Sequence, residues 1–149
     1  MKRITTPLGA AAVLASAAAL IPGVASAAPT EFIFPAGELC AFEVGITPYG
    51  EQTTHDTGKG DILFTGRLTA TVTNKETGAT QSFNISGPTF GSPDEVQTAV
   101  TGPNLILQPA SRNVGPAFLI YTTGRVNFTP EFTIASRTGR VTDVCAALS

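Results

Sequence analysis

Apolar and polar side chains alternate with a period of two along most of the chain beyond residue 38, which predicts strands with one buried face. In 39–46, Cys40, Phe42, Val44 and Ile46 share a face. In 67–73, Leu68, Ala70 and Val72 alternate strictly with Thr69, Thr71 and Thr73. Phe83 and Ile85 do the same in 81–86. Between these two runs lies Asn74-Lys75-Glu76-Thr77-Gly78, a turn whose glycine can be left-handed, so they pair as a hairpin.

Shorter apolar runs fall in 61–65, 95–101, 104–108, 117–122, 125–129, 131–135 and 141–145. Their β-branched and aromatic content, with Gly and Pro at the flanks, favours strands over buried helix. Residues 47–60, 87–93 and 109–116 are expected to be loops, and no long segment carries a helical stripe. The prediction is an all-β domain: an antiparallel β-barrel or two-sheet β-sandwich of about eight to ten short strands.

The first residues break the pattern. Lys2 and Arg3 precede an Ala-rich apolar run over 8–21, then Pro22-Gly23, then the small residues Ala25-Ser26-Ala27. That order is an export signal with its cleavage site. About fourteen apolar residues are too few to cross a hydrocarbon core of roughly 30 Å as a helix. Residues 1–27 are therefore expected to be a signal peptide and 28–149 a single secreted domain, extracellular or envelope-associated, with no stable membrane anchor.

Loss of the leader changes the charge. It takes two of the nine Lys and Arg with it, leaving seven against eleven Asp and Glu, a net charge near −4. No basic cluster remains, which argues against nucleic acid or anionic lipid as a partner. Charged residues are scarce (13% of the chain), so the solvated surface falls largely to threonine, with twenty after residue 27. Threonine suits the outer face of a strand.

Cys40 and Cys145 lie near the two ends of the expected domain, and an even count in an exported chain predicts one disulfide. Neither has a C-x-x-C neighbour or a cationic setting that would make a reactive thiol.

Catalytic chemistry has little to work with. The only histidine, His55, stands beside Asp56 and four residues from Glu51, so it is the one place for a general base oriented by a carboxylate. A zinc site lacks ligands, no calcium-loop pattern is present, and no cofactor is implied. Asp56-Thr57-Gly58 has the letters of the aspartic-protease signature but not the preceding apolar strand or a second copy. No nucleophile elbow or phosphate-binding glycine loop occurs. Arg67 and Arg125 share the parity of outward Thr and Asn residues. Tyr121, in a run with Phe118 and Ile120, reads as core, or with Glu43 as a pair orienting a small apolar ligand inside a barrel.

Four stretches together resemble a group of small exported actinobacterial proteins with two cysteines. They are Phe34-Pro35-Ala36-Gly37-Glu38-Leu39-Cys40-Ala41-Phe42, Leu68 to Asn74 with the Thr77-Gly78 turn, Ile120-Tyr121-Thr122-Thr123-Gly124-Arg125-Val126, and Thr142-Asp143-Val144-Cys145-Ala146-Ala147-Leu148. The resemblance implies localisation and a cysteine pair, and no activity. Thr123 within the Tyr-Thr-Gly-Arg run and the short turn at Pro130 depart from the group and leave the register of the last hairpin open. The expected function is a secreted, non-enzymatic binding or envelope-associated protein whose partner is an extracellular protein or a small apolar ligand. The alternatives are a small-ligand-binding barrel (a carrier, or an isomerase- or hydrolase-like enzyme) and a secreted inhibitor presenting residues 47–60.

Overall fold

The computed structural model describes residues 29–92 and 97–149. The predicted leader, and residues 95 and 96 of an expected strand, lie outside them. In chain order the strands are β1 (Phe32–Phe34), β2 (Val44–Asp56), β3 (Ile62–Asn74), β4 (Thr80–Asn84), β5 (Thr89–Gly91) and β6 (Gln97–Thr101). They continue with β7 (Asn104–Gln108), β8 (Phe118–Thr122), β9 (Arg125–Phe128), β10 (Ile134–Arg137) and β11 (Val141–Asp143), followed by a one-turn helix α1 (Val144–Ala147). One sheet runs β1-β2-β3-β5-β6-β9-β10 with β4 also on β3, and the other is β11-β8-β7. All pairings are antiparallel. Of the two predicted architectures the sandwich is the one formed, and the sheets do not close into a barrel.

The alternation seen in the sequence becomes the core. Leu68, Ala70 and Val72 of β3 are buried while Thr69, Thr71 and Thr73 keep partial exposure. In β7 the three consecutive apolar residues Leu105, Ile106 and Leu107 break the alternation because the strand is buried on both faces. The predicted hairpin forms as β3–β4, with Gly78 at φ +78° in its turn. Cys40 and Cys145 are joined, with Cα atoms 5.4 Å apart.

Several boundaries differ. Residues 47–56 are not a loop: β2 continues to Asp56 and pairs with β3 rung for rung from Val44↔Asn74 to Asp56↔Ile62. Threonines 53 and 54 tolerate both strand geometry and solvent, so an exposed strand needs no apolar alternation. The turn is confined to 57–61, where Thr57 N–H donates to Asp61 O (3.1 Å). The expected strands at 61–65 and 67–73 are one continuous β3. Residues 39–43 bury Leu39, Cys40 and Phe42 without pairing, because Gly37 N–H turns back to Cys40 O (2.7 Å). In 87–93 the short β5 bridges β3 to β6. The expected final strand stops at Asp143, whose carboxylate accepts from Ala146 N–H (3.0 Å) and caps α1. In 131–135, Phe132 takes φ +64° and stacks on Phe128 (centroids 4.6 Å), so β10 begins only at Ile134, and its pairing with β9 shifts between Ile134 and Ser136. The last hairpin thus takes an irregular register at this point.

Three connections carry the chain from one sheet to the other: β6 to β7, β8 to β9 and β10 to β11. They meet at one corner. Gly102 N–H donates to Gly124 O (3.0 Å), Thr123 N–H to Arg140 O (3.1 Å) and Thr138 N–H to Arg125 O (2.9 Å). A Cβ on Gly124 would strike the carbonyl of Thr138, and one on Gly139 would lie 2.6 Å from the Cα of Gly124. Backbone touches backbone there, and no side chain fits between.

Two outcomes follow. Denatured without reductant, the protein should show no titratable thiol. The double change Cys40→Ser/Cys145→Ser should lower stability by about 4–5 kcal/mol, given a loop of this length in the chain-entropy model, seen as a fall in the denaturant midpoint. Gly124→Ala should cost about 1–3 kcal/mol or more through overpacking, and a wild-type thermal midpoint would show that the corner yields.

Candidate functional site

The outer face of β2–β3–β4 carries hydroxyls in register. Pairing places Thr47 opposite Thr71 and Ser82, Tyr49 opposite Thr69 and Asn84, and Thr73 opposite Thr80. Directly opposed residues in a sheet share a face. Tyr49 Oη lies 2.9 Å from Thr71 Oγ1, which lies 3.0 Å from Ser82 Oγ, and Thr73 Oγ1 lies 2.9 Å from Thr80 Oγ1. Tyr49 is 42% exposed, one of two large apolar side chains so presented among the described residues. The bond from Thr71, and then that from Ser82, holds its phenol below the ordinary tyrosine value of 10.0.

Beside this face, a cleft of about 330 Å³ opens between β4 and the small sheet. On the β4 side, Gln81 and Phe83 have inward parity, and the strand edge at Ser82 and Asn84 forms the lip. On the small sheet, Thr142 pairs with Tyr121, and Arg140 and Thr123 lie two residues further along on the same face. The rings of Phe83 and Tyr121 approach to 5.0 Å at 42°, an aromatic pair joining the two sheets under polar walls. The guanidinium of Arg140 is exposed, and the one ion pair among the described residues is Lys75–Glu31 at 3.0 Å, in the turn that follows β3. A second cleft of about 330 Å³ lies over the disulfide, between Leu39, Cys40 and Cys145 on one side and Phe118 and Leu119 on the other.

The residues singled out in the sequence are dispersed. His55 is exposed on the outer face of β2, its Nε2 3.0 Å from Thr65 Oγ1. Asp56 projects from the opposite face of the strand and accepts from Gly58 N–H (2.7 Å), closing the hairpin turn. Glu51 shares the face of His55 but stands four rungs away, about 13 Å along a strand. These three groups are not brought together. Glu43 is half-buried before β2, its carbonyl accepting from Lys75 N–H (2.9 Å), and it does not line the cleft that holds Tyr121. Arg67 is exposed, as its parity implied. So is Arg125, which lies over the ring of Phe90 (5.6 Å) and bonds Asn127 Oδ1 (2.9 Å). Among the described residues no three of His, Cys, Asp and Glu gather as metal ligands, and no helix is long and apolar enough to cross a membrane.

Gln81 and Arg140 were missed in the sequence. A polar residue with the parity of Phe83 and Ile85 was the available sign for Gln81. Arg140 joins the cleft only through the Tyr121↔Thr142 register, which local patterning does not give. Comparison with protein-family models, curated proteins and solved structures finds no match to this chain.

Tyr49 offers a measurable consequence. By phenolate absorbance it should titrate below free tyrosine, and Thr71→Val should move the midpoint back up toward 10.0. Because a folded value below the unfolded one favours the fold only above the unfolded value, this contribution is full above pH 10.0 and disappears as pH falls through the folded midpoint. At neutral pH it is absent.

Proposed function

We propose that this is an exported β-sandwich that works by binding, outside the cytoplasm or at the cell envelope, without catalysis. The carrying observation is where the chemistry sits. The space between the sheets is filled by side chains such as Ile46, Val72, Val100, Leu105, Leu107 and Leu119, all below 2% exposed. The organised polar groups that reach solvent lie outside it, on the Tyr49–Thr71–Ser82 face and in the adjoining Phe83–Tyr121 cleft. Such a surface, flat and hydroxyl-rich beside an aromatic-based cleft, serves recognition.

Export is supported by the order of residues 1–27 and by the disulfide, which suits an oxidising compartment. The likeness to small exported actinobacterial two-cysteine proteins points the same way. The acidic balance of the mature chain argues against nucleic acid, leaving an extracellular protein or a small apolar ligand as the partner. A second reading, an inhibitor, is favoured by one observation: the outer half of β2 and the 57–61 turn form an exposed hairpin arm held by continuous pairing to β3.

Expressed with its leader in a bacterial host, the protein should appear in the medium beginning at Ala28. As tagged bait in spent medium and envelope extracts, it should retain a component that excess untagged protein displaces. A product kept in the cytoplasm with the leader uncut, or bait that retains nothing displaceable, would refute the reading. Any turnover found should survive His55→Ala.

A further inference from the structure

We propose that the free edge of β4 is a docking strand for an extended peptide, which adds to the large sheet with an apolar residue on the Phe83–Tyr121 pair and an acidic residue on Arg140. The inference rests on the binding reading above and names its partner class.

The edge is open and regular. Ile85 N–H donates to Leu68 O (2.9 Å), and Phe83↔Ala70 and Gln81↔Val72 follow in the same register. In an antiparallel ladder the intervening residues point their main-chain groups the other way. The N–H and C=O of Thr80, Ser82 and Asn84 therefore face away from β3, and among the described residues β4 pairs with no other strand.

This edge is also unguarded. Exposed edges of monomeric sheets are usually protected by charge, proline, irregularity or brevity. β1 and β11 have three residues each, β10 carries Arg137 and a register shift, and β7 is wholly buried. The unpaired length of β2 beyond Ile46 holds Pro48, Glu51 and Asp56. β4 reads Thr-Gln-Ser-Phe-Asn, five residues with no charge, no proline and unbroken register. A strand without protection is a hazard unless something pairs with it.

The cleft indicates what pairs. A strand laid beside β4 would point alternate side chains, roughly 7 Å apart, at the inward face where Phe83 and Tyr121 form an apolar seat. Gln81, Thr123 and Thr142 surround that seat, and Arg140 supplies a cation with no carboxylate partner among the described residues. Strand addition takes affinity from the main chain and specificity from such alternate pockets. A guanidinium at the wall selects a carboxylate, from an acidic side chain or a chain terminus.

A displayed library of random peptides, selected on the purified protein, tests this. Enriched peptides should place an apolar and an acidic residue two positions apart and shift the amide resonances of Ser82 and Asn84. Ser82→Pro removes an outward N–H that β3 does not use; set against Ser82→Ala, which loses the same hydroxyl bond to Thr71, it should weaken these peptides about tenfold or more while the two thermal midpoints stay close. Arg140→Glu should weaken them similarly and should instead favour peptides with lysine at the acidic position. No enrichment, enriched peptides that bind Ser82→Pro as well as wild type, or a concentration-dependent dimer abolished by Ser82→Pro would each overturn the proposal, the last by showing a second copy on the edge. If peptides select as described but the chain stays in the cytoplasm, the export reading fails and this one stands. If Ser82→Pro still captures the envelope component, the binding reading stands and the β4 edge does not.

Discussion

The structure is organised on the unequal lengths of the strands that meet β3. On one side β3 pairs with β2 along its whole thirteen-residue course. On the other it is shared end to end by two shorter strands, β5 at Ile62–Phe64 and β4 at Thr69–Thr73. Only β5 passes the sheet on, to β6 and then β9 and β10. The five-residue β4 comes to a stop, and the small sheet cannot reach its edge by hydrogen bonds because it lies in the other layer. The open cleft and the main-chain groups along it are therefore products of the topology.

Much of the large sheet was legible because one face of each strand is buried and the period shows through. Leu68, Ala70 and Val72 against the three threonines fixed both the strand and its orientation, and β7 matched its expected bounds. The exposed half of β2 was illegible for the complementary reason. Gly50 to Asp56 bury almost nothing, so Thr53, Thr54 and His55 pair as a strand while reading as a loop. The cleft was hidden more deeply. Its residues come from segments about forty to sixty positions apart, joined by a register between Tyr121 and Thr142 that no local pattern encodes. His55 and Asp56 look like a pair in sequence, yet adjacent residues of a strand face opposite ways.

Besides its Asp143 cap, the C-terminal turn is tied down by one polar side chain at the end of β3. Asn74 is 2% exposed, and its amide nitrogen donates to Leu148 O (3.0 Å) while its oxygen accepts from Glu76 N–H (2.9 Å) and Thr77 N–H (3.2 Å). A turn residue in the sequence thus also holds the last helix, beside the disulfide and the buried Val144 and Leu148. A buried amide with both ends bonded specifies one arrangement where apolar packing alone would permit several.

The crowded glycine corner divides the surface into regions of unequal evolutionary freedom. Gly58, Gly60 and Gly78 keep a left-handed backbone that favours glycine itself, but nothing lies within 4 Å of them, so neighbouring insertions have room, whereas at Gly87, Gly124 and Gly139 an added atom meets main chain. Lengthening or diversification can accumulate at the hairpin tips without disturbing the strand crossings. A reporter grafted into 57–61 would sit on the tolerant side of that divide, away from the β4 edge. Divergent members of such a lineage would then differ most in the reach of the β2–β3 arm and least in how the chain changes layers.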